Sequence, residues 1–269
     1  MTHTSGLPPY APVSELQEKY GFPNPKGLME YISTCKREFK PQTKFQYSCL
    51  NYITLQHIIE TITGQSLRDF AKENIFDILG MQYTDYLPTI QQQDGKWINT
   101  VACPWMDRIA PTEKQKDGSV LCGQVHDPLA RILNGGISGN AGIFSNANDI
   151  GILAAALLNG GEYNGRRILS PLGVKTMCTV PRELTAFGRT PGWDIFSPYA
   201  SNKGDLFSPN TFGHTGYTGT SIIIDPDNDT AVILLVNAVH PEDRHSIVRL
   251  RSLVANAVAA SICPPAQVY

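Results

Sequence analysis

The strongest constraint on the fold lies in the last third of the chain. Ser221 to Asp225 and Thr230 to Asn237 are β-branched, apolar runs, and Pro226, Asp227, Asn228 and Asp229 stand between them. Two such runs broken by turn formers read as a β-hairpin. Directly after it, Glu242 to Ile262 interleaves charge with Ile247, Leu250, Val254 and Val258 at helical spacing, the pattern of an amphipathic helix. A hairpin and a helix with one apolar face each hide those faces best against one another. The fold class expected is therefore α+β: an antiparallel sheet flanked by helices, plus a helical lobe from the middle of the chain.

Upstream, Leu28, Tyr31, Ile32 and Cys35 predict a helix from Lys26 to Phe39, ended by Pro41. A second helix is expected from Leu50 to Thr63, closed by Gly64. A third runs from an N-cap at Ser66 to Leu79. Asp149 to Leu158 is a strongly apolar helix, and Ser170-Pro171 is a cap followed by proline at the first helical position. Met1 to Val13, with Pro8, Pro9 and Pro12, reads as irregular, and residues 81–125 as polar and weakly periodic, with surface loops from Gln91 to Lys96 and from Thr112 to Ser119. No linker or repeat divides the chain, so residues 1–269 read as one domain.

Composition narrows the function. With 22 Lys+Arg against 24 Asp+Glu, the net charge of −2 offers no basic field, and no nucleic-acid partner is expected. The runs Ile152 to Leu158 and Ala231 to Val236 are too short for a membrane span. Cys35, Cys49, Cys103, Cys122, Cys178 and Cys263 form no C-x-x-C and have no paired histidines at ligand spacing. They are expected as small buried hydrophobes, with no metal site and no disulfide framework. There is no phosphate-binding G-x-x-x-x-G-K-[ST], no dinucleotide-type glycine fingerprint and no H-E-x-x-H, so no cofactor is implied.

One segment stands out: Phe212-Gly213-His214-Thr215-Gly216-Tyr217-Thr218-Gly219-Thr220-Ser221, leading into Ile222-Ile223-Ile224. Its glycines let a strand edge approach a ligand closely. Four further segments join it in a recognisable order. Thr2-His3-Thr4-Ser5-Gly6-Leu7-Pro8 comes first, then Phe45-Gln46-Tyr47-Ser48-Cys49-Leu50-Asn51-Tyr52. Ile75-Phe76-Asp77-Ile78-Leu79-Gly80-Met81 and Gly135-Gly136-Ile137-Ser138-Gly139-Asn140-Ala141-Gly142-Ile143-Phe144-Ser145 follow. Together they resemble the β-lactamase-related serine hydrolases: serine β-lactamases, penicillin-binding D-Ala-D-Ala peptidases and allied esterases.

The resemblance implies acyl transfer through a serine, on an amide, β-lactam or ester bond of a small-molecule or peptide substrate. Tyr47 matches the family's tyrosine base, and His214-Thr215-Gly216 matches the His form of its Lys-Thr-Gly strand. His214 is expected to supply Tyr47 with a hydrogen bond or partial positive charge. The backbone N–H of Tyr217 is the implied oxyanion donor, with Cys49, Thr215, Gly216 and Thr218 on the substrate side. Cys49 stands where the family often has Asn or Asp, Asn140 where it often has His, and Ala238 where it has Arg. His3 reads as a turn residue.

The family's Ser-x-x-Lys precedes the "THTSGLP" turn, and this chain starts at that turn. The one Ser-x-x-Lys present, Ser33-Thr34-Cys35-Lys36, has the wrong position. The expectation is therefore of a chain incomplete at its N-terminus, lacking the first strands and the nucleophile helix. An exposed sheet edge available for association follows. An export signal and an envelope or periplasmic location would belong to the missing part. The rival expectation is a non-catalytic remnant or binding module that keeps the cleft.

Overall fold

The computed structural model of the chain describes residues 1–197, 203–243 and 246–262. Cys263 lies outside the described residues.

The first helices form a lobe. α1 (Val13–Tyr20) starts directly after Pro12, at the end of the segment expected to be irregular. α2 (Pro25–Thr34) is opened by the Asn24 side chain, which accepts from the Gly27 N–H at 2.8 Å. It stops at Thr34, short of the expected Phe39, because the next residues pair with the N-terminal segment. Glu38 N–H donates to the Gly6 carbonyl at 2.8 Å, and Gln42 N–H to that of Thr4 at 2.7 Å. α3 (Cys49–Thr63) ends at Gly64 in the left-handed region, as expected. Leu7, Leu16, Leu28, Ile32, Leu50, Ile53, Leu129 and Leu133 form the buried core of this lobe.

α4 (Leu67–Ala71) is capped by the Ser66 hydroxyl accepting from the Asp69 N–H at 3.1 Å. It passes through a π turn over Lys72–Phe76 into α5 (Asp77–Leu79), closed by left-handed Gly80. Short strand pairs follow: β1 (Asp85–Tyr86), β2 (Thr89–Gln91) with β3 (Trp97–Asn99), and β4 (Ile143–Phe144), which pairs back to β1. α6 (Ala147–Leu158) begins at Asn146, whose side chain accepts from the Asp149 N–H at 2.8 Å. β5 (Glu162–Tyr163) and β6 (Arg166–Arg167) make a small hairpin. α7 (Pro171–Met177) carries the expected Ser170 cap.

The main sheet is β7 (Phe212–Thr215), β8 (Ser221–Asp225) and β9 (Thr230–Leu234), antiparallel in that order. Phe212 faces Ile224 and His214 faces Ile222 across the first pair. Alternate residues point to opposite faces. Phe212 and Ile224 pack with Ala154 and Leu157 of α6, whereas Ile223 and Val232 pack with Ala255 of α8 (Val248–Ser261). The sheet therefore has a helix on each side.

β9 ends at Leu234 rather than Asn237, and α8 begins at Val248 rather than Glu242. The residues between are held by other partners. Ala238 N–H donates to the Thr218 carbonyl at 2.8 Å, and Lys114 N–H to that of Pro241 at 2.8 Å. The Asn237 side chain donates to the Pro111 carbonyl. Cys122 is exposed, against the expectation of burial, while Cys35, Cys49, Cys103 and Cys178 are partly buried thiols. No helix among the described residues is long and apolar enough to cross a membrane.

Candidate active site

β7 brings His214 to the site, and a tight turn on its outer edge brings a residue that the sequence reading did not single out. Asp194 N–H donates to the Gly213 carbonyl at 2.9 Å, and Gly213 N–H returns to that of Asp194 at 3.0 Å. Arg189 lies opposite Asp194 across the turn. Gly188 makes the turn possible. Its φ is +62°, and a Cβ there would lie 2.6 Å from the Phe196 carbonyl carbon and 2.7 Å from the Ser197 nitrogen.

Arg189 is 1% exposed. Nη1 donates to Asp194 Oδ2 at 2.9 Å, and Nη2 lies 2.7 Å from His214 Nε2. The guanidinium carbon sits over the Tyr47 ring, 5.6 Å from its centre. Asp194 is fixed in turn by the Ser197 hydroxyl, 2.9 Å away.

These contacts assign the protons on His214. Arginine only donates, so Nε2 must accept. Nδ1 then carries the hydrogen and donates to the Thr215 carbonyl at 3.0 Å. Burial, reinforced by the Arg189 charge, pulls the His214 pKa down to about 4, against the Thr215 bond. His214 is neutral near pH 7. The expected positive charge at this position belongs to Arg189, not to His214.

Tyr47 directly precedes the Ser48 cap position of α3, and the N-terminal segment holds it there. Gln46 N–H donates to the His3 carbonyl at 2.9 Å, Ser48 N–H to His3 Nδ1 at 3.1 Å, and the Ser48 hydroxyl to the Pro8 carbonyl at 2.6 Å. His3 is more than a turn residue. It is 1% exposed and stacks on Tyr47 with ring centres 4.2 Å apart. Burial, and then Arg189, lower its pKa to about 3. Its Nε2 is buried without a partner among the described residues. Tyr47 and His214 have ring centres 6.3 Å apart. The structure thus brings together Tyr47, His214, His3 and Arg189. Tyr52 stands next to them, its ring centre 5.2 Å from that of His3, with its hydroxyl donating to the Met1 carbonyl at 3.0 Å.

Thr215 ends β7, and Gly216 to Gly219 form the turn after it. Gly216 N–H donates to the Thr220 carbonyl at 2.8 Å, Arg251 Nη2 donates to the Gly216 carbonyl at 3.0 Å, and the Thr218 carbonyl is tied to Ala238. The Tyr217 side chain turns outward, 74% exposed, stacked on His126 and donating to Asp243 Oδ2 at 2.6 Å. Cys49 packs against the lobe core beside Asn140. Burial and the Asp127 charge raise its thiol pKa to about 11 against a hydrogen bond from Asn140, so it stays a neutral thiol. Gly139 lets the glycine loop close on α3, since a Cβ there would meet the Tyr52 carbonyl oxygen at 2.0 Å. Ser33 lies at the exposed end of α2, its hydroxyl donating to the Glu30 carbonyl at 2.8 Å within its own helix.

Arg189 left one signal in the sequence. It and Asp194 are the lone charges between Glu183 and Lys203, in a stretch otherwise of small, apolar and turn residues. A lone opposite pair in such surroundings points to a buried ion pair.

A family model described as Beta-lactamase matches residues 1–256. The chain belongs to the beta-lactamase family. A protein of Escherichia coli K12 named "Putative D-alanyl-D-alanine carboxypeptidase" is 35% identical over 226 residues, which are 79% of this chain and 49% of that protein. The chain spans about half the length of the curated relatives it matches. Among solved structures, a beta-lactamase from Mycobacterium bovis aligns with a TM-score of 0.60 at 18% identity, covering 97% of this chain and 72% of that one. EstCE1, a hydrolase with promiscuous acyltransferase activity, aligns with a TM-score of 0.59 at 18% identity, over 94% and 69%. These likenesses establish the fold, a helical lobe against an antiparallel sheet with helices on both faces. The family is one of serine hydrolases.

Proposed function

We propose that this chain carries the base side of a serine hydrolase site that cleaves an amide, β-lactam or ester bond through an acyl-serine intermediate. Tyr47 is the general base. The nucleophilic serine and its lysine come from a Ser-x-x-Lys segment outside these 269 residues, because Ser33 is bonded into its own helix away from the motif's place. In acylation the serine Oγ attacks the substrate carbonyl and its proton passes to Tyr47. The same proton then goes to the leaving group, and water repeats the sequence to release the acid. The Tyr217 backbone N–H donates to the developing oxyanion, while Thr215, Gly216 and Thr218 line the substrate side of the strand. Among the three bond types, the names of the sequence relatives favour a peptide ending in D-Ala-D-Ala.

The observation that carries this reading is Tyr47, held by the His3 segment at the mouth of β7 against a buried guanidinium and a neutral histidine. The test is adduct mapping on the product of the longest reading frame that contains this chain. A fluorophosphonate probe and a chromogenic β-lactam are expected to modify a serine three residues before a lysine, and not Ser33. Modification of Ser33, or of no serine, overturns the reading. The second outcome leaves a binding module with an intact cleft.

A further inference from the structure

We propose that Arg189 is the positioning residue of this site: a fixed, buried cation that holds Tyr47 in readiness as a base and locks His214 as a neutral acceptor. The inference rests on the function proposed above and adds to it where the site's permanent charge resides.

Three observations support it. Arg189 is buried, yet its guanidinium is not spent on Asp194 alone. Nη1 takes the carboxylate, Nη2 takes His214 Nε2, and the plane lies over the Tyr47 ring. Nε is buried without a partner among the described residues, so part of the group's hydrogen-bonding capacity is unused by the fold. The carboxylate that balances it is shared, because Asp194 also accepts from Ser197. The groups facing Tyr47 include His3 from the N-terminal segment, His214 from β7, and Arg189 with its partner Asp194 from the turn, while Tyr52 from α3 packs on His3. The Met1 amino group also feels the Arg189 charge, and burial and that charge both disfavour its protonated form.

The chemical consequence differs from that of a lysine at the same place. A guanidinium keeps its protons through the reaction. Arg189 therefore cannot shuttle the serine proton. It lowers the cost of phenolate at Tyr47, and Tyr47 alone accepts and returns the proton. His214 keeps Nδ1–H on the Thr215 carbonyl and neither gains nor loses a proton. It fixes the guanidinium relative to the strand.

The test is a titration of the folded protein without substrate, with 13C labels in the tyrosine and histidine rings. Arg189→Met is expected to move the Tyr47 titration to higher pH and the His214 titration upward from about 4, because both groups lose a neighbouring positive charge. Arg189→Lys restores part of both shifts. Asp194→Asn removes the balancing charge and moves Tyr47 the opposite way, to lower pH. If Arg189→Met does not fold, the Asp194→Asn and Arg189→Lys titrations still decide the matter. A purely structural ion pair predicts no Tyr47 shift in any folded variant, and that result overturns the proposal. Hydrolysis is read separately. In an active protein, Arg189→Met shifts the ascending limb of the kcat/KM profile to higher pH. A charge effect on Tyr47 without hydrolysis would sink the function and leave only the electrostatic hold of Arg189 on Tyr47 and His214.

Discussion

Gly188 and Arg189 show how much of the site depends on single positions. The turn that delivers Arg189 leaves no room for a side chain at Gly188, where a Cβ would meet the Phe196 ring and the backbone of residues 196 and 197. Gly188→Ala is expected to destabilise the protein by about 1–3 kcal/mol, read from denaturant midpoints, and to shift the His214 ring resonances. Cys49 makes a second residue-level point. Its raised pKa leaves little thiolate at pH 8, whereas Cys122 is exposed. Alkylation followed by peptide mass spectrometry should modify Cys122 well before Cys49. Equal rates would contradict the burial assigned to Cys49.

At the scale of elements, local signals set several helix starts, and tertiary contacts set other boundaries. Ser66, Asn146 and Ser170 all cap as their side chains dictate. Asn146→Ala is expected to cost about 1 kcal/mol of stability. α2 stops early, by contrast, because residues 38–46 are needed by the N-terminal segment, a pairing between distant stretches that periodicity cannot reveal. The delayed start of α8 has the same cause, with residues 237–241 claimed by the loop at 111–114. The sheet was legible because β-branched runs and turn residues are local. Ile224, fully buried between β8 and α6, tests that core: Ile224→Ala is expected to cost about 2–5 kcal/mol in chemical denaturation.

For the whole molecule, the site couples stability to pH. His214 and His3 have folded pKa values near 4 and 3, below the ordinary value of 6.5. Between those limits the unfolded chain binds protons that the folded chain refuses. Stability from this source is complete above about pH 6.5 and is lost as pH falls toward 4, by up to about 1.4 kcal/mol per pH unit for each histidine. Unfolding free energies measured from pH 7 to 4.5 should show this decline, and His3→Asn should flatten it.

The motifs named Tyr47 and His214, and the fold places their rings 6.3 Å apart. Arg189 was not legible, because its role exists only once a turn far from Tyr47 in sequence lies along β7. His3 could be read as a turn residue, but its stacking on Tyr47 depends on 45–48 folding back across the N-terminal segment.

The central claim is that Tyr47 is the base of an acyl-transfer site. The most direct measurement is the acylation rate of the longest reading frame containing this chain, with a chromogenic β-lactam or activated ester, for the parent and for Tyr47→Phe. The phenyl ring keeps the packing against His3 and removes only the hydroxyl. Acylation by Tyr47→Phe is expected to be slower by about 10²–10⁴ with the fold intact. An acylation rate equal to that of the parent would contradict the claim.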